Sequence, residues 1–322
     1  MVFELIYMFA ANHPFLFHLG LIIASLLVTL KAADLLVFGI TDYARKLGFS
    51  DYLIGLIIVA FGASIPELVS SAMGLIAGES TIIFGTILGS NIAGLALVLG
   101  IVTFIGKKLK TNKKVLKKMG PIMFALALIP MIFMINGVLS RIEGIILILV
   151  FAGYNFYIYK KEGEMGKIKK NVKIKRIYRD MIIAIGTLLA IILAGRWLVF
   201  SSIEISNLFG ISPFILAVTI IAVGTQVPDL AVSLRAVMRG HQDVAFADIL
   251  GSTLTKLLLF FGLFAVIKPM TVNPILLLPA MIFMVFSLGA ALLFARKGIM
   301  TRKHGLILVL TFAVFIAIQL LI

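Results

Sequence analysis

The sequence predicts an all-α polytopic membrane protein whose ten transmembrane helices form two inverted five-helix repeats. Three observations predict it: the composition, the alternation of basic connections, and self-similarity at one fixed offset. Of 322 residues, 61% are apolar and 13% charged, with a mean hydropathy of +1.16. A soluble chain averages about 25% charged, so a soluble globular protein is excluded. At about 20 apolar residues per crossing the chain holds ten spans with short connections and leaves little for a water-soluble catalytic domain. The absence of cysteine excludes disulfides, thiolate metal sites and cysteine nucleophiles.

The elements follow in order. Residues 1–11 are apolar but too short to span, lack the basic start of a signal peptide, and read as an interfacial segment. Apolar runs separated by Gly, Pro or charged clusters then place spans at 15–37, 52–77, 80–105, 119–136, 142–159, 180–200, 212–238, 242–267, 272–294 and 303–322. The connections after the odd-numbered spans carry 25 of the 29 Lys and Arg, including the runs at 107–118 and 160–179. Only Arg141, Arg196 and Lys268 lie on the other side, and Lys256 falls inside a span. By the positive-inside rule the odd connections are cytoplasmic and both termini extracellular, in a multi-pass plasma-membrane protein. The net charge of +15 therefore reports orientation against anionic headgroups rather than a nucleic-acid partner. The partners expected are the lipid bilayer and transported cations, with no obligate protein partner and no cofactor.

Sliding the chain by 162 residues superposes Gly62 on Gly224, Pro66 on Pro228, Glu67 on Asp229, Ser71 on Ser233, and ILGS (87–90) on ILGS (249–252). Between residues 58 and 100 this gapless register gives 15 identities in 43 positions. An offset of five spans, an odd number, makes the two halves enter the membrane in opposite directions. The chain divides into a first repeat (1–159, motif 55–94), a basic cytoplasmic linker (160–179) and a second repeat (180–322, motif 217–256).

Each half carries one Gly- and Pro-interrupted apolar stretch, GLIIVAFGASIPELVSS (55–71) and AVTIIAVGTQVPDLAVS (217–233). Proline inside a helix frees a carbonyl, which hydrocarbon tolerates only where it faces protein or a hydrated cavity. The carboxylate after each proline, Glu67 or Asp229, costs at least about 2.5–3.5 kcal/mol at mid-membrane and should face a partner or ligand. With Ser64, Thr225, Gln226 and exposed carbonyls the two form an oxygen-rich site suited to a hard cation such as Ca²⁺, and Glu67 and Asp229 are the expected metal ligands. Spans three and eight contribute GTILGSNIAG (85–94) and ADILGSTLTK (247–256), where Gly89 and Gly251 permit close backbone approach and Ser90 and Ser252 present hydroxyls. Asp248 and Lys256 are eight residues apart, about 12 Å along an ideal helix, so Lys256 reaches across to Glu67 or Asp229 unless the helix breaks at Gly251.

The paired G-x-S-x-P-E and G-T-x-x-P-D motifs, each followed by G-S-N or G-S-T and inverted over five plus five spans, resemble the calcium/cation antiporter superfamily, best known from the sodium/calcium exchangers. The resemblance covers nearly the whole chain. It implies that Glu67 and Asp229 are the central cation ligands, with main-chain carbonyls at Ala63 and Thr225 and hydroxyls from Ser64, Ser90 and Ser252 completing the sites. It also implies alternating access, with spans one and six sliding against the other eight. The chain departs from the usual G-T-S at Gly62-Ala63-Ser64 and Gly224-Thr225-Gln226. Four residues after the motif serines, where the family places Asn or Asp, stand Gly94 and Lys256, so Lys256, Asp248, Asn91 and Gly94 are read as modifying the site.

Lys256 is read either as a tethered cation that replaces one bound ion or as a structural salt bridge, and Asp248 either as a site residue or as a helix cap. Ser71 and Ser233 are read as small residues for close helix approach. The expected function is secondary antiport of Ca²⁺ or a related cation against Na⁺ or H⁺. Alternatives are another substrate ion on the same scaffold and a non-transporting regulator. An enzyme acting on lipid lacks support: there is no His/Asp metal cluster, no Ser/His pair and no nucleotide loop.

Overall fold

The computed structural model describes residues 11–46, 64–111, 113–162, 177–238 and 242–322. Among these lie ten helices: α1 (Pro14–Lys46), α2 (Ile65–Ile76), α3 (Ser80–Ile105), α4 (Lys113–Phe133), α5 (Arg141–Glu162), α6 (Ile177–Phe209), α7 (213–238), α8 (242–267), α9 (Pro274–Ala295) and α10 (Arg302–Leu321). All except α2 and α5 are long and apolar enough to cross a membrane. Residues 1–10, Gly62, Ala63 and most of the linker lie outside the described residues.

Local chemistry sets the helix starts. Pro66, Pro213 and Pro274 stand in the first turn of α2, α7 and α9, where a missing N–H costs no hydrogen bond. Ser212 accepts from Phe214 N at 3.2 Å and Asn273 from Ile275 N at 3.0 Å, capping α7 and α9. Gly210, at φ +64°, lets the chain turn out of α6.

Burial ranks the layers. In α3, 94% of the spanning window is buried and in α8 72%, against 22% for α1 and 28% for α10, so α3 and α8 form the centre. They meet at Phe84 and Phe261, whose rings are 5.5 Å apart. α3 packs on α7 through glycines: a Cβ at Gly85 would lie 2.8 Å from Phe214 O, and one at Gly89 2.7 Å from Val218 Cα. Among the described residues a Cβ at Gly251 would meet nothing within 4 Å; residues 56 and 60, which the repeat offset pairs with Val218 and Ala222, lie outside them, and so does the close approach expected at Gly251.

α1 and α6 lie along one another and touch the remaining helices chiefly through α2 and α7. α6 continues to Phe209, nine residues past the predicted end of span six. Its polar stretch after Phe200 is accommodated within the helix: Ser202 donates back to Leu198 O at 2.8 Å, and Ser201, Ser202 and Ser206 are buried. α8 does not break at Gly251; it runs on through a π-helical turn at Thr255–Phe260. A π turn at Ala93–Val98 occupies the equivalent place in α3, and a third lies in α7 at Ala217–Ile221.

Two short antiparallel strand pairs join the repeats. β1 (Lys108–Lys110), between α3 and α4, pairs with β4 (Ile299–Thr301), between α9 and α10. β2 (Val138–Leu139), between α4 and α5, pairs with β3 (Met270–Thr271), between α8 and α9. The second pair is the pseudo-symmetric counterpart of the first at the opposite end of the bundle.

Candidate functional site

Ser64 accepts the first helical bond of α2, from Leu68 N at 3.0 Å, and Pro66 then fixes the entry angle. Glu67 therefore sits in the first turn, where the positive end of the helix dipole favours a carboxylate, and it is fully buried. Asp229 occupies the matching place in α7 but in mid-helix, because α7 is continuous through Pro228. There Pro228 deprives the Gly224 carbonyl of its usual donor.

Side chains from the second repeat converge on Glu67. Gln226 Nε2 donates to Glu67 Oε1 at 2.6 Å, and Lys256 Nζ stands 3.6 Å from the same oxygen, with Lys256 1% exposed. The expected reach of Lys256 across the bundle is therefore realised at Glu67. Oε2 of Glu67 has no hydrogen-bond partner among the described residues. The counterparts of Gln226 and Lys256 in the first repeat are the short residues Ser64 and Gly94. A Cβ at Gly94 would lie 2.8 Å from Gln226 Oε1, so the absent side chain makes room for the amide that bridges to Glu67. Asp229 lies within the electrostatic reach of Glu67, Lys256 and Asp248, and Asp248 within that of Lys256.

The cluster is electrically lopsided. The ammonium of Lys256 and the amide of Gln226 are both drawn to Glu67, while the first repeat has only Ser64 and Gly94 at the matching positions. A buried ion pair holds only with good geometry and further hydrogen bonds, and Gln226 supplies one to Glu67.

The motif hydroxyls are arranged symmetrically. Ser90 donates to Ile87 O at 3.2 Å and Ser252 to Ile249 O at 3.1 Å; Thr225 donates likewise to Ala222 O at 3.1 Å. Donation back to the helix commits each proton and leaves oxygen lone pairs for a ligand. Asn91 is fully buried with neither amide atom bonded among the described residues, and Thr86, Ser71 and Ser233 also have buried, unpartnered hydroxyls. Thr86 was not singled out from the sequence, although the offset of 162 makes it the counterpart of Asp248. The π turns were missed as well; those of α3 and α8 begin three residues past a motif serine and take in Gly94 and Lys256 respectively, re-aiming side chains and loosening carbonyls. Ala63, with its expected carbonyl ligand, lies outside the described residues. No three His, Asp or Glu side chains converge among the described residues, so a cation held here would also need amide, hydroxyl or main-chain oxygens.

The sodium/calcium exchanger protein family matches the chain over residues 17–160 and 180–321. The chain belongs to that family. Among its relatives, it is 26% identical to the sodium/calcium exchanger MaX1 of Methanosarcina acetivorans, over 92% of this chain and 97% of the relative. It is 28% identical to the inner membrane protein YrbG of Escherichia coli, over 80% of this chain and 82% of the relative. A crystal structure of the H⁺/Ca²⁺ exchanger CAX superposes with a TM-score of 0.74 at 14% identity, over 99% of this chain and 92% of that one. The sodium-calcium exchanger NCX_Mj superposes with a TM-score of 0.67 at 23% identity, over 93% and 98%. At these identities the solved structures establish the shared fold of a polytopic helical membrane protein.

Proposed function

We propose that the protein is a secondary antiporter, not an enzyme, that exchanges Ca²⁺ or a related cation for Na⁺ or H⁺ by alternating access. The observation that carries this reading is the buried cross-repeat cluster of Glu67, Gln226 and Lys256, in which one carboxylate oxygen of Glu67 has no hydrogen-bond partner among the described residues. Family membership supports it, as do relatives named for Na⁺/Ca²⁺ and H⁺/Ca²⁺ exchange. Substrate and counter-ion compete for Glu67 and Asp229, with Ser64, Ser90, Ser252, Asn91, the Thr225 and Ala63 carbonyls and Gln226 as further oxygen donors. No cofactor is required. The repeats 1–159 and 180–322 act as halves joined by the linker, in the plasma membrane with both termini outside, and α1 and α6 slide against the rest.

Lys256 acts as a tethered cation. Its ammonium cancels Glu67, so the charge left for the transported ion is that of Asp229 and Asp248, enough for one divalent or two monovalent cations. In proteoliposomes, Glu67→Gln and Asp229→Asn each lower ⁴⁵Ca²⁺ or Na⁺ exchange by at least about tenfold, the size expected when a charge-assisted contact is lost. Full exchange in either variant rejects the proposal. The second reading, another substrate ion or a non-transporting regulator, is favoured by the same ion pair. Calorimetric titration with Ca²⁺, Na⁺, Mg²⁺ and Mn²⁺ separates the two.

A further inference from the structure

Two grooves open between neighbouring helices on the outer surface of the bundle. One, of about 450 Å³ between α9 and α10, is lined by residues such as Ile282, Phe286, Leu310 and Val314 and has no charged residue. It is ordinary surface for acyl chains. The other, of about 310 Å³ between α4 and α9, has an equally apolar body formed by Phe124, Leu292 and Leu293, but Lys117 and Arg296 also line it. These two come from the first turns of α4 and the residue that caps the C-terminal end of α9, so they stand together at the basic end of the bundle. The groove exists because glycines face it from both walls: Gly120 and Gly289 leave their nearest neighbours, Leu292 and Phe124, at 3.6 and 3.4 Å from where a Cβ would be.

The electrostatic setting is one-sided. No Asp or Glu occurs in residues 106–121 or 289–304. The β1–β4 pairing draws these two segments together, so Lys113 and Lys297 add to the same field. An apolar slot ending in two cations at a membrane face matches a ligand with a hydrocarbon tail and an anionic head. A zwitterionic lipid would bring a second cation to the same place.

We propose that the α4–α9 groove binds one acidic phospholipid, with an acyl chain against Phe124, Leu292 and Leu293 and the phosphate between Lys117 and Arg296. Because α4 belongs to the first repeat and α9 to the second, the lipid bridges the repeats on the face already joined by β1 and β4.

The test is native mass spectrometry of the full chain released from micelles holding equal amounts of dioleoyl phosphatidylglycerol and phosphatidylcholine. The protein retains phosphatidylglycerol in preference, and Lys117→Gln with Arg296→Gln lowers that retention on the order of 30-fold, about fivefold per cation. Gly289→Leu, which fills the groove and keeps both cations, also loses the lipid. Lys108→Gln with Lys303→Gln removes two exposed charges from the same end but outside the groove and leaves retention unchanged. Equal retention of both lipids overturns the proposal. So does an equal loss in the Lys108/Lys303 variant, which would mean a diffuse field, or an unaffected Gly289→Leu. Should the doubly neutralised variant not run as a monodisperse species, Gly289→Leu still decides.

Discussion

Replacing Lys256 by Met removes the buried ammonium and nearly preserves its volume. At 3.6 Å from Glu67 Oε1, opposite unit charges interact by about 5 kcal/mol at an effective dielectric of about 20. Breaking one partner of a buried pair costs about 3–5 kcal/mol by comparison with other proteins, so the two figures agree. In a medium free of inorganic cations the variant is therefore less stable by about 3–5 kcal/mol, with Glu67 held only by Gln226. An added cation takes the ammonium's place: at a hundred times its dissociation constant, Na⁺ or Ca²⁺ restores about 2.7 kcal/mol. The assay is thermal unfolding of the purified protein, titrated with NaCl against choline chloride, alongside the Na⁺ dependence of exchange in proteoliposomes. The variant melts lower than the parent in choline, recovers with Na⁺ more steeply, and couples one more monovalent cation per cycle. A melting curve equal to the parent's in choline, or an unchanged Na⁺ response in both assays, refutes the tethered-cation argument.

Other outcomes follow from the same geometry. Glu67→Gln leaves the Lys256 charge buried and unpaired, so it destabilises more than Asp229→Asn; combining it with Lys256→Met restores most of the loss, and an additive double-mutant cycle would contradict the pairing. Gly94→Ala places a methyl 2.8 Å from Gln226 Oε1, displacing a flexible amide. It lowers cation affinity several-fold by calorimetry, with stability falling by less than about 1 kcal/mol, whereas unchanged affinity means the Gln226 bridge is incidental. Gly85→Ala forces α3 and α7 apart and costs about 1–3 kcal/mol. Gly153→Ala, at an exposed position inside α5, is neutral or gains up to about 1 kcal/mol, and a reversed ranking of these two in thermal unfolding would sink the packing account.

The parts of the fold legible in the sequence are those set by hydrocarbon. Apolar runs and basic clusters report a helix's length and direction whatever it packs against, so the segmentation and the inverted repeat could be read without coordinates. Where polar groups sit inside helices, hydropathy misleads: span six was cut at residue 200 because Ser201, Ser202 and Ser206 look like a loop until their burial against helix is known. The site was legible as a pair of carboxylates next to prolines, since a charge at that depth needs a reason. Its asymmetry was legible only as two odd residues, Gln226 and Lys256. That both turn to Glu67, and that Gly94 admits one of them, depends on rotamers and interhelical distance, which carry no one-dimensional signal. The π turns are similarly silent, being one-residue insertions in a hydrogen-bond ladder with no residue type of their own.

The two strand pairs have a consequence for how the molecule comes together. Each strand finds its partner in the other repeat, so neither half can complete the backbone bonding of its own connections. The first repeat, once inserted, has no partner for Val138–Leu139 until Met270–Thr271 have been made, and none for Lys108–Lys110 until Ile299–Thr301 follow. Assembly is thus a late, long-range event that rewards the complete chain and gives a truncated one nothing to close upon. A stretch of only two or three residues acts in this way as a check that both halves are present before the bundle locks.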